Sequence, residues 1–465
     1  MKVPRILICA GSSNSGKTLI TCGILQALVN RGLKPASFKC GPDYIDPMFH
    51  TKVIGTRSRN LDTFFAGDET VRYVLAQNSQ QADVAVIEGV MGYYDGIGGT
   101  TTRASAYDVA RVTDTPSVLI VNCKGMSLSA AAFVEGYKNF REDSHIKGVI
   151  LNRVSPKVYE KLKVCIEESC GVKVIGYVPQ VDDCVIESRH LGLVMPDEID
   201  LLREKLMKLA SILEETLDLD LLLEMAGEAP LLDARKPKLP EADGETVKIA
   251  LARDEAFCFI YEDNIELLKK LGAEIVEFSP LHDSRLPEGV QGLILCGGYP
   301  ELYANTLCGN RSMADDIASR CLKGLPVLAE CGGFMYLHQT MEDIDGNPHK
   351  GVGLIEGKAY KTSRLGRFGY ISLTEDKGDF FRDYKTEHGH GPGSMPAHEF
   401  HYFDSTDAGD CLIAQKPASE INWRCIHSTE TMLAGFPHFY YYGNPALPDA
   451  FLAKCRKYGK NQLKG

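Results

Sequence analysis

The chain has 465 residues, enough for two or three domains with full cores. Hydrophobic content of 44% and charged content of 24% fit a globular protein. A net charge of -11 without any Lys/Arg cluster argues against nucleic-acid binding. No segment is long and apolar enough to span a bilayer, and the first apolar run is too short for a signal-peptide core. A cytoplasmic protein with no membrane partner is therefore expected. The 15 cysteines are scattered and form no C-x-x-C pair, which argues against a zinc ribbon or redox motif. In a reducing compartment most should be small buried hydrophobes, so any reactive cysteine needs separate support.

Residues 5–10 form a short apolar run suited to a buried strand. They lead into Gly11-Ser12-Ser13-Asn14-Ser15-Gly16-Lys17-Thr18, a complete phosphate-binding loop, and then a helix over 19–30. Gly11 and Gly16 let the backbone wrap around phosphate oxygens. Lys17 can reach the β/γ-phosphates of ATP, and the Thr18 hydroxyl can ligate Mg²⁺. The helix N-terminus adds its positive dipole end.

Further strands are expected at 34–39, 84–88, 117–121, 147–151 and 173–178, alternating with helices. This predicts a parallel sheet covered by helices. The loop Lys39-Cys40-Gly41-Pro42-Asp43-Tyr44-Ile45-Asp46-Pro47 follows the second strand and carries two acids three residues apart. It lies beyond the carboxyl end of a strand, where open α/β sheets bind ligands. Glu88 ends another strand, and a glycine-rich loop holding Asp95 follows. Asp43, Asp46, Glu88 and Asp95 are expected to converge on Mg²⁺ and a phosphoryl group. Two of these acids could instead be simple turn residues, because Asp beside Pro is common in turns. No N-K-x-D is present, so a guanine-reading switch is not indicated. Asn152 ends a strand at a position suited to base contact.

Residues 198–227 are Leu- and Glu-rich with helical spacing, and 227–246 read as a linker. The expected domains are 1–226 and 247–465. The second repeats the α/β alternation, with strands at 247–252, 274–278, 292–296 and 326–330 and helices at 262–271 and 311–323. Residues 340–430 are less periodic and should hold strands and functional loops.

Cys331 follows Val327-Leu328-Ala329-Glu330 and precedes Gly332-Gly333. A tight strand-to-helix turn there would expose the sulfur at a helix N-terminus. Backbone amides at Gly332, and at Gly298 on the neighbouring strand end, could form an oxyanion hole. His438 is the expected general base. His398 and His401 flank Glu399 but lack an obvious third ligand, so a structural or interface role is expected.

These motifs, in order, resemble the cobyrinic acid a,c-diamide synthase family. They are Gly-Pro-Asp-Tyr-Ile-Asp-Pro at 41–47, Glu88-Gly89-Val90-Met91-Gly92, Arg189-His190-Leu191-Gly192-Leu193, Gly297-Gly298-Tyr299-Pro300-Glu301, Glu330-Cys331-Gly332-Gly333 and His398-Glu399-Phe400-His401-Tyr402. The resemblance covers nearly the whole chain. It implies a dethiobiotin-synthetase-like P-loop domain followed by a class I glutamine amidotransferase domain. It also implies ATP- and Mg²⁺-dependent amidation of two acetate carboxylates of a corrinoid, with L-glutamine as nitrogen donor. On this reading Lys17 and Thr18 belong to the ATP site, and Asp43, Asp46, Glu88 and Asp95 to the metal and substrate site. Cys331 is the glutaminase nucleophile and His438 its base.

Three departures from the family pattern stand out. Ala397 replaces the glycine before His-Glu-Phe-His, with Met395-Pro396 upstream, and Cys296 stands where a third glycine is common. His438 is followed by Phe439-Tyr440, so the His-x-Glu of triad amidotransferases is absent and the group orienting the imidazole is undefined. Tyr44 and Ile45 are expected to touch substrate. The sequence leaves Ni-sirohydrochlorin (on the coenzyme F430 route) and hydrogenobyrinic acid open as substrates. It also leaves open a P-loop ATPase scaffold with a non-catalytic C-terminal module. A homodimer is compatible with the sequence, though no interface is readable.

Overall fold

The computed structural model describes residues 1–181, 196–242 and 244–462. The Arg189-His190-Leu191-Gly192-Leu193 motif lies outside the described residues. The chain divides into two compact units, Met1–Pro237 and Lys238–Gly465.

In the first unit, strands β1 (Arg5–Ala10), β2 (Pro35–Cys40), β3 (Ser58–Leu61), β4 (Val84–Glu88), β5 (Ser117–Asn122), β6 (Ile146–Asn152) and β7 (Lys173–Val178) form one sheet. Their order is β3-β2-β4-β1-β5-β6-β7, and every pairing is parallel. The apolar runs are buried along their length because helices cover them. Helix α1 (Lys17–Asn30) follows β1 after the phosphate loop, and α2 (Ile45–Phe49) follows β2 and begins within the acidic loop. Strand β3 was not expected: Ser-Arg-Asn-Leu has neither an apolar run nor alternation, yet all four residues are buried.

The Leu/Glu-rich stretch is two helices, Pro196–Thr216 and Leu219–Gly227. Asp218 separates them. Its side chain caps the second helix by accepting from the Leu221 amide at 2.9 Å, and its own amide donates to Ile175 O at 2.7 Å. Periodicity alone does not reveal this break, since both segments share an apolar face. Part of the expected linker is docked on the first unit: Leu232 is buried and exchanges two 2.9 Å hydrogen bonds with Met1.

In the second unit, β8 (Val247–Ala252), β9 (Ala273–Phe278), β10 (Gly292–Leu295) and β11 (Val327–Glu330) form a parallel core in the order β11-β10-β8-β9. The strand Met432–Gly435 extends it in parallel beside β11, with Glu330 opposite Gly435. A five-stranded antiparallel sheet contains Phe368–Glu375, Met395–Phe400 and His438–Phe439. The less periodic region supplies most strands of that sheet, and its strand Met395–Phe400 pairs with His438–Phe439. Ala397 is fully buried in that sheet, where it faces Ile371 and Phe439.

Candidate active sites

The phosphate loop joins β1 to α1. Gly16 caps the helix at φ 96°, a left-handed conformation that glycine adopts without strain. Asn14 is also left-handed, at φ 62°. Ser12 Oγ and Ser15 Oγ are 3.1 Å apart across the loop, while Ser13 is exposed. Tyr137 donates to Gly11 O at 2.9 Å, and Phe133 packs so closely on Gly11 that any side chain there would collide. Asn152 donates its amide to Ser15 O at 2.9 Å, so it shapes the loop through the backbone. Lys17 Nζ is held by Ser12 O at 2.9 Å and Met91 O at 2.6 Å, which aims it across the loop mouth.

Four of the expected residues meet beyond the carboxyl ends of β2 and β4. Thr18 Oγ1 donates to Glu88 Oε1 at 2.6 Å and lies 3.5 Å from Asp46 Oδ2. Lys39, whose role has no signal in the local sequence, sits at their centre. Its ammonium pairs with Asp46, lies 2.8 Å from Glu88 Oε1 and is 4.0 Å from Asp43. His50, also missed, lies 3.4 Å from Glu88 Oε2 and is held by Ser37 Oγ at 2.7 Å. Both additions were hidden by position, since Lys39 falls within a strand and His50 beyond the motif.

Charge in this cluster is strongly coupled. Burial works against the Lys39 ammonium, but Glu88, Asp46 and Asp43 hold its pKa well above the usual lysine value. Burial also opposes ionisation of Glu88, which Lys39 and His50 overcome, keeping it below the ordinary carboxylate range. Asp46 moves the other way, raised by burial and by the Glu88 charge. Asp95 lies apart from this group of contacts. It accepts from Gly92 N at 3.0 Å and so fixes the glycine-rich loop against the phosphate loop. Asp43 accepts from the Ile45 amide at 2.7 Å and caps the turn into α2. Tyr44 is buried, whereas Ile45 is partly exposed.

The second site sits at the carboxyl edge of the other sheet. Cys331 lies between β11 and a short helix, Gly332–Tyr336, with φ 48° and ψ −105°. A non-glycine residue at positive φ is strained, and the surroundings enforce it here. Its amide donates to Gly435 O at 2.8 Å, and Gly333 N donates to Cys296 O at 3.0 Å. The turn is closely packed: a Cβ on Gly332 would stand 3.2 Å from Gly298 N and 2.8 Å from Pro300 Cδ. The amide after the sulfur and the Gly298 strand end therefore approach each other, as an oxyanion hole requires.

His438 lies three residues beyond the strand that neighbours β11, which brings it to Cys331. Gly297 lies against its ring, and the Phe259 ring is 6.3 Å away, edge-on. Asn264 brackets the backbone on either side, donating to Phe439 O at 2.8 Å and accepting from Tyr441 N at 2.7 Å. The imidazole is buried, and burial works against its charge. Cys331, hydrogen-bonded to it, and then Glu330 raise its pKa to about 10. His398 lies opposite His438 across the strand pair. Burial pushes the His398 pKa down to about 3, so it is neutral near pH 7.

Residues 6–193 match the CobQ/CobB/MinD/ParA nucleotide binding domain, and residues 248–439 the CobB/CobQ-like glutamine amidotransferase domain. A phosphate-loop unit joined to a glutamine amidotransferase unit defines a glutamine-dependent amidating ligase. The chain is 39% identical over 449 residues to cobyrinate a,c-diamide synthase of Listeria innocua, covering 95% of this chain and 97% of that protein. Identity to the protein of that name from Priestia megaterium is 36% over 461 residues, 97% of each chain. For Salmonella typhimurium it is 37% over 458 residues, covering 97% of this chain and 98% of that protein. The chain belongs to the cobyrinate a,c-diamide synthase family.

Proposed function

We propose that this enzyme amidates the a and c acetate carboxylates of cobyrinic acid, using ATP and glutamine. The observation that carries the reading is the presence, in one chain, of a phosphate loop beside an acid cluster and a buried Cys–His pair at a strained elbow. We assign the ATP-dependent step to residues 1–226 and the glutaminase to 247–465, joined through 227–246.

A carboxylate does not react with ammonia, because oxide is a very poor leaving group. Transfer of the γ-phosphoryl group to a side-chain carboxylate gives an acyl phosphate, and ammonia then displaces phosphate. Lys17 and the loop amides stabilise the phosphoryl charge. Thr18 with Glu88 or Asp46 supplies hard oxygen donors of the kind Mg²⁺ takes alongside phosphate oxygens and water. Among the described residues, no group of three or more His, Cys, Asp or Glu forms a cage for a metal ion. A Mg²⁺ that keeps most of its water and phosphate ligands needs none. When bound, the ion would neutralise charge on the transferring group.

At the other site the Cys331 thiolate attacks the glutamine amide carbon. His438 gives a proton to the departing nitrogen, the C–N bond breaks and ammonia leaves. Water then attacks the thioester, giving a proton to His438, and the C–S bond breaks to release glutamate and the thiolate.

The test is a mass-spectrometric product assay with ATP, Mg²⁺ and glutamine, on cobyrinic acid and separately on Ni-sirohydrochlorin. Two amidations of cobyrinic acid are expected. Cys331→Ser should lose them with glutamine and keep them with ammonia. Amidation of Ni-sirohydrochlorin alone would move the substrate, and ATP hydrolysis without amidation of either would favour the scaffold alternative.

A further inference from the structure

The glutaminase assignment leaves one function unfilled. His438 is followed by Phe439 and Tyr440, so no acid two residues on can hold the imidazole. A neutral imidazole that accepts a proton at one ring nitrogen needs a partner at the other to fix its tautomer and orientation.

Glu330 occupies that place. It is the last residue of β11, immediately before the nucleophile. Its Oε2 lies 3.6 Å from His438 Nδ1, and both residues are buried, at 6% and 2% exposure. An ordinary hydrogen bond is shorter, at roughly 3 Å, and such contacts often tighten only when substrate is bound. A backbone amide, that of Phe439, also steadies the Glu330 carboxylate. One strand end thus supplies two adjacent residues to the same imidazole: the nucleophile through the backbone turn, and an acid through its side chain.

We propose that Glu330 is the positioning residue of a Cys331–His438–Glu330 triad whose acid comes from the nucleophile's own strand. The inference rests on the glutaminase reading above. Glu330 touches no reacting atom. It holds His438 with Nδ1 protonated and stabilises the imidazolium formed when the ring takes a proton. Burial is the larger effect and leaves the Glu330 pKa above the ordinary carboxylate value, while the neighbouring His438 pulls it back down. The other ionisable groups around this pair are Cys331, Cys296, Tyr441, His398, Glu399 and His401.

The test compares Glu330→Gln and Glu330→Asp in the full-length enzyme. Gln keeps the volume and removes the charge. The readouts are glutamate release, ammonia-dependent amidation, and the pH dependence of Cys331 alkylation by iodoacetamide. We expect Glu330→Gln to lower kcat for glutamine hydrolysis by on the order of 10²-fold with little change in KM. Its alkylation midpoint should move to higher pH, because a weaker imidazolium stabilises the thiolate less. Ammonia-dependent amidation should be unchanged, which also reports that the chain is folded. Glu330→Asp should recover part of the loss, and it carries the test if the Gln variant does not fold. Wild-type kcat and an unshifted alkylation profile in folded Glu330→Gln would overturn the proposal, as would a folded Glu330→Asp that recovers none of the glutaminase. Undiminished glutaminase in Cys331→Ser would instead overturn the underlying reading.

Discussion

Single contacts decide the chemistry at the elbow. Gly297 has no positive φ, so alanine suits its backbone, yet a Cβ there would overlap Cε1 of His438. Gly297→Ala should therefore push the imidazole off Cys331 without unfolding the strand. A displacement of the order of an ångström lowers rates by about 10²-fold. Glutamate release should fall by that amount while ammonia-dependent amidation persists; an unaffected glutaminase would show that the ring is free to move. Cys331 was readable because an apolar run, a cysteine and two glycines in succession describe a strand, a nucleophile and a turn. Glu330 was not, because nothing local links it to a histidine far along the chain. Its role exists only once Met432–Gly435 is paired with β11 and brings His438 across. Lys39 was obscured in the same way, since its partner Glu88 comes from a strand far along the chain that only the fold sets beside it.

At the scale of elements, strands met the expectation where burial requires a continuous apolar run, as in β1, β4 and β5. Strand β3 is polar in sequence and is recruited by its neighbour β2, a tertiary effect that propensity does not contain. The strand Met395–Phe400 carries a further consequence. Glu399 is fully buried there, and burial raises its pKa to about 7 against the opposing pull of Arg367 and Lys416. Its folded pKa lies above the ordinary 4.5, so the folded state binds more protons than the unfolded state between those values. The stability it contributes is present below about pH 4.5 and is lost as pH rises through about 7. Glu399→Gln removes this titration. The variant should gain stability relative to the parent between pH 5 and pH 8, by on the order of 3 kcal/mol at most. Urea midpoints at the two pH values measure the difference. An equal offset at both would show that Glu399 ionises normally in the fold.

For the whole molecule, the two compact units carry separable chemistry, and a variant in one should spare the other. Lys39 offers the sharpest test, because it is the cation that Asp46, Glu88 and Asp43 surround in the first unit. Lys39→Met keeps the length of the side chain and removes the charge. Thr18 and Glu88 would then face Asp46 without compensation, and the arrangement that presents Thr18 to the phosphate site is lost. Amidation should fall by about 10² to 10³-fold with glutamine and with ammonia alike, the size expected when one preorganised charge is removed from a transfer site. Glutamate release should continue, since Cys331, His438 and Glu330 all lie in the other unit. Parallel measurement of glutamate and of product mass separates the two activities. Full amidation would remove Lys39 from the phosphoryl-transfer machinery. Loss of glutamate release together with amidation would instead mean that the glutaminase fires only when the first site is properly charged. The two units would then be coupled through catalysis rather than merely joined in sequence.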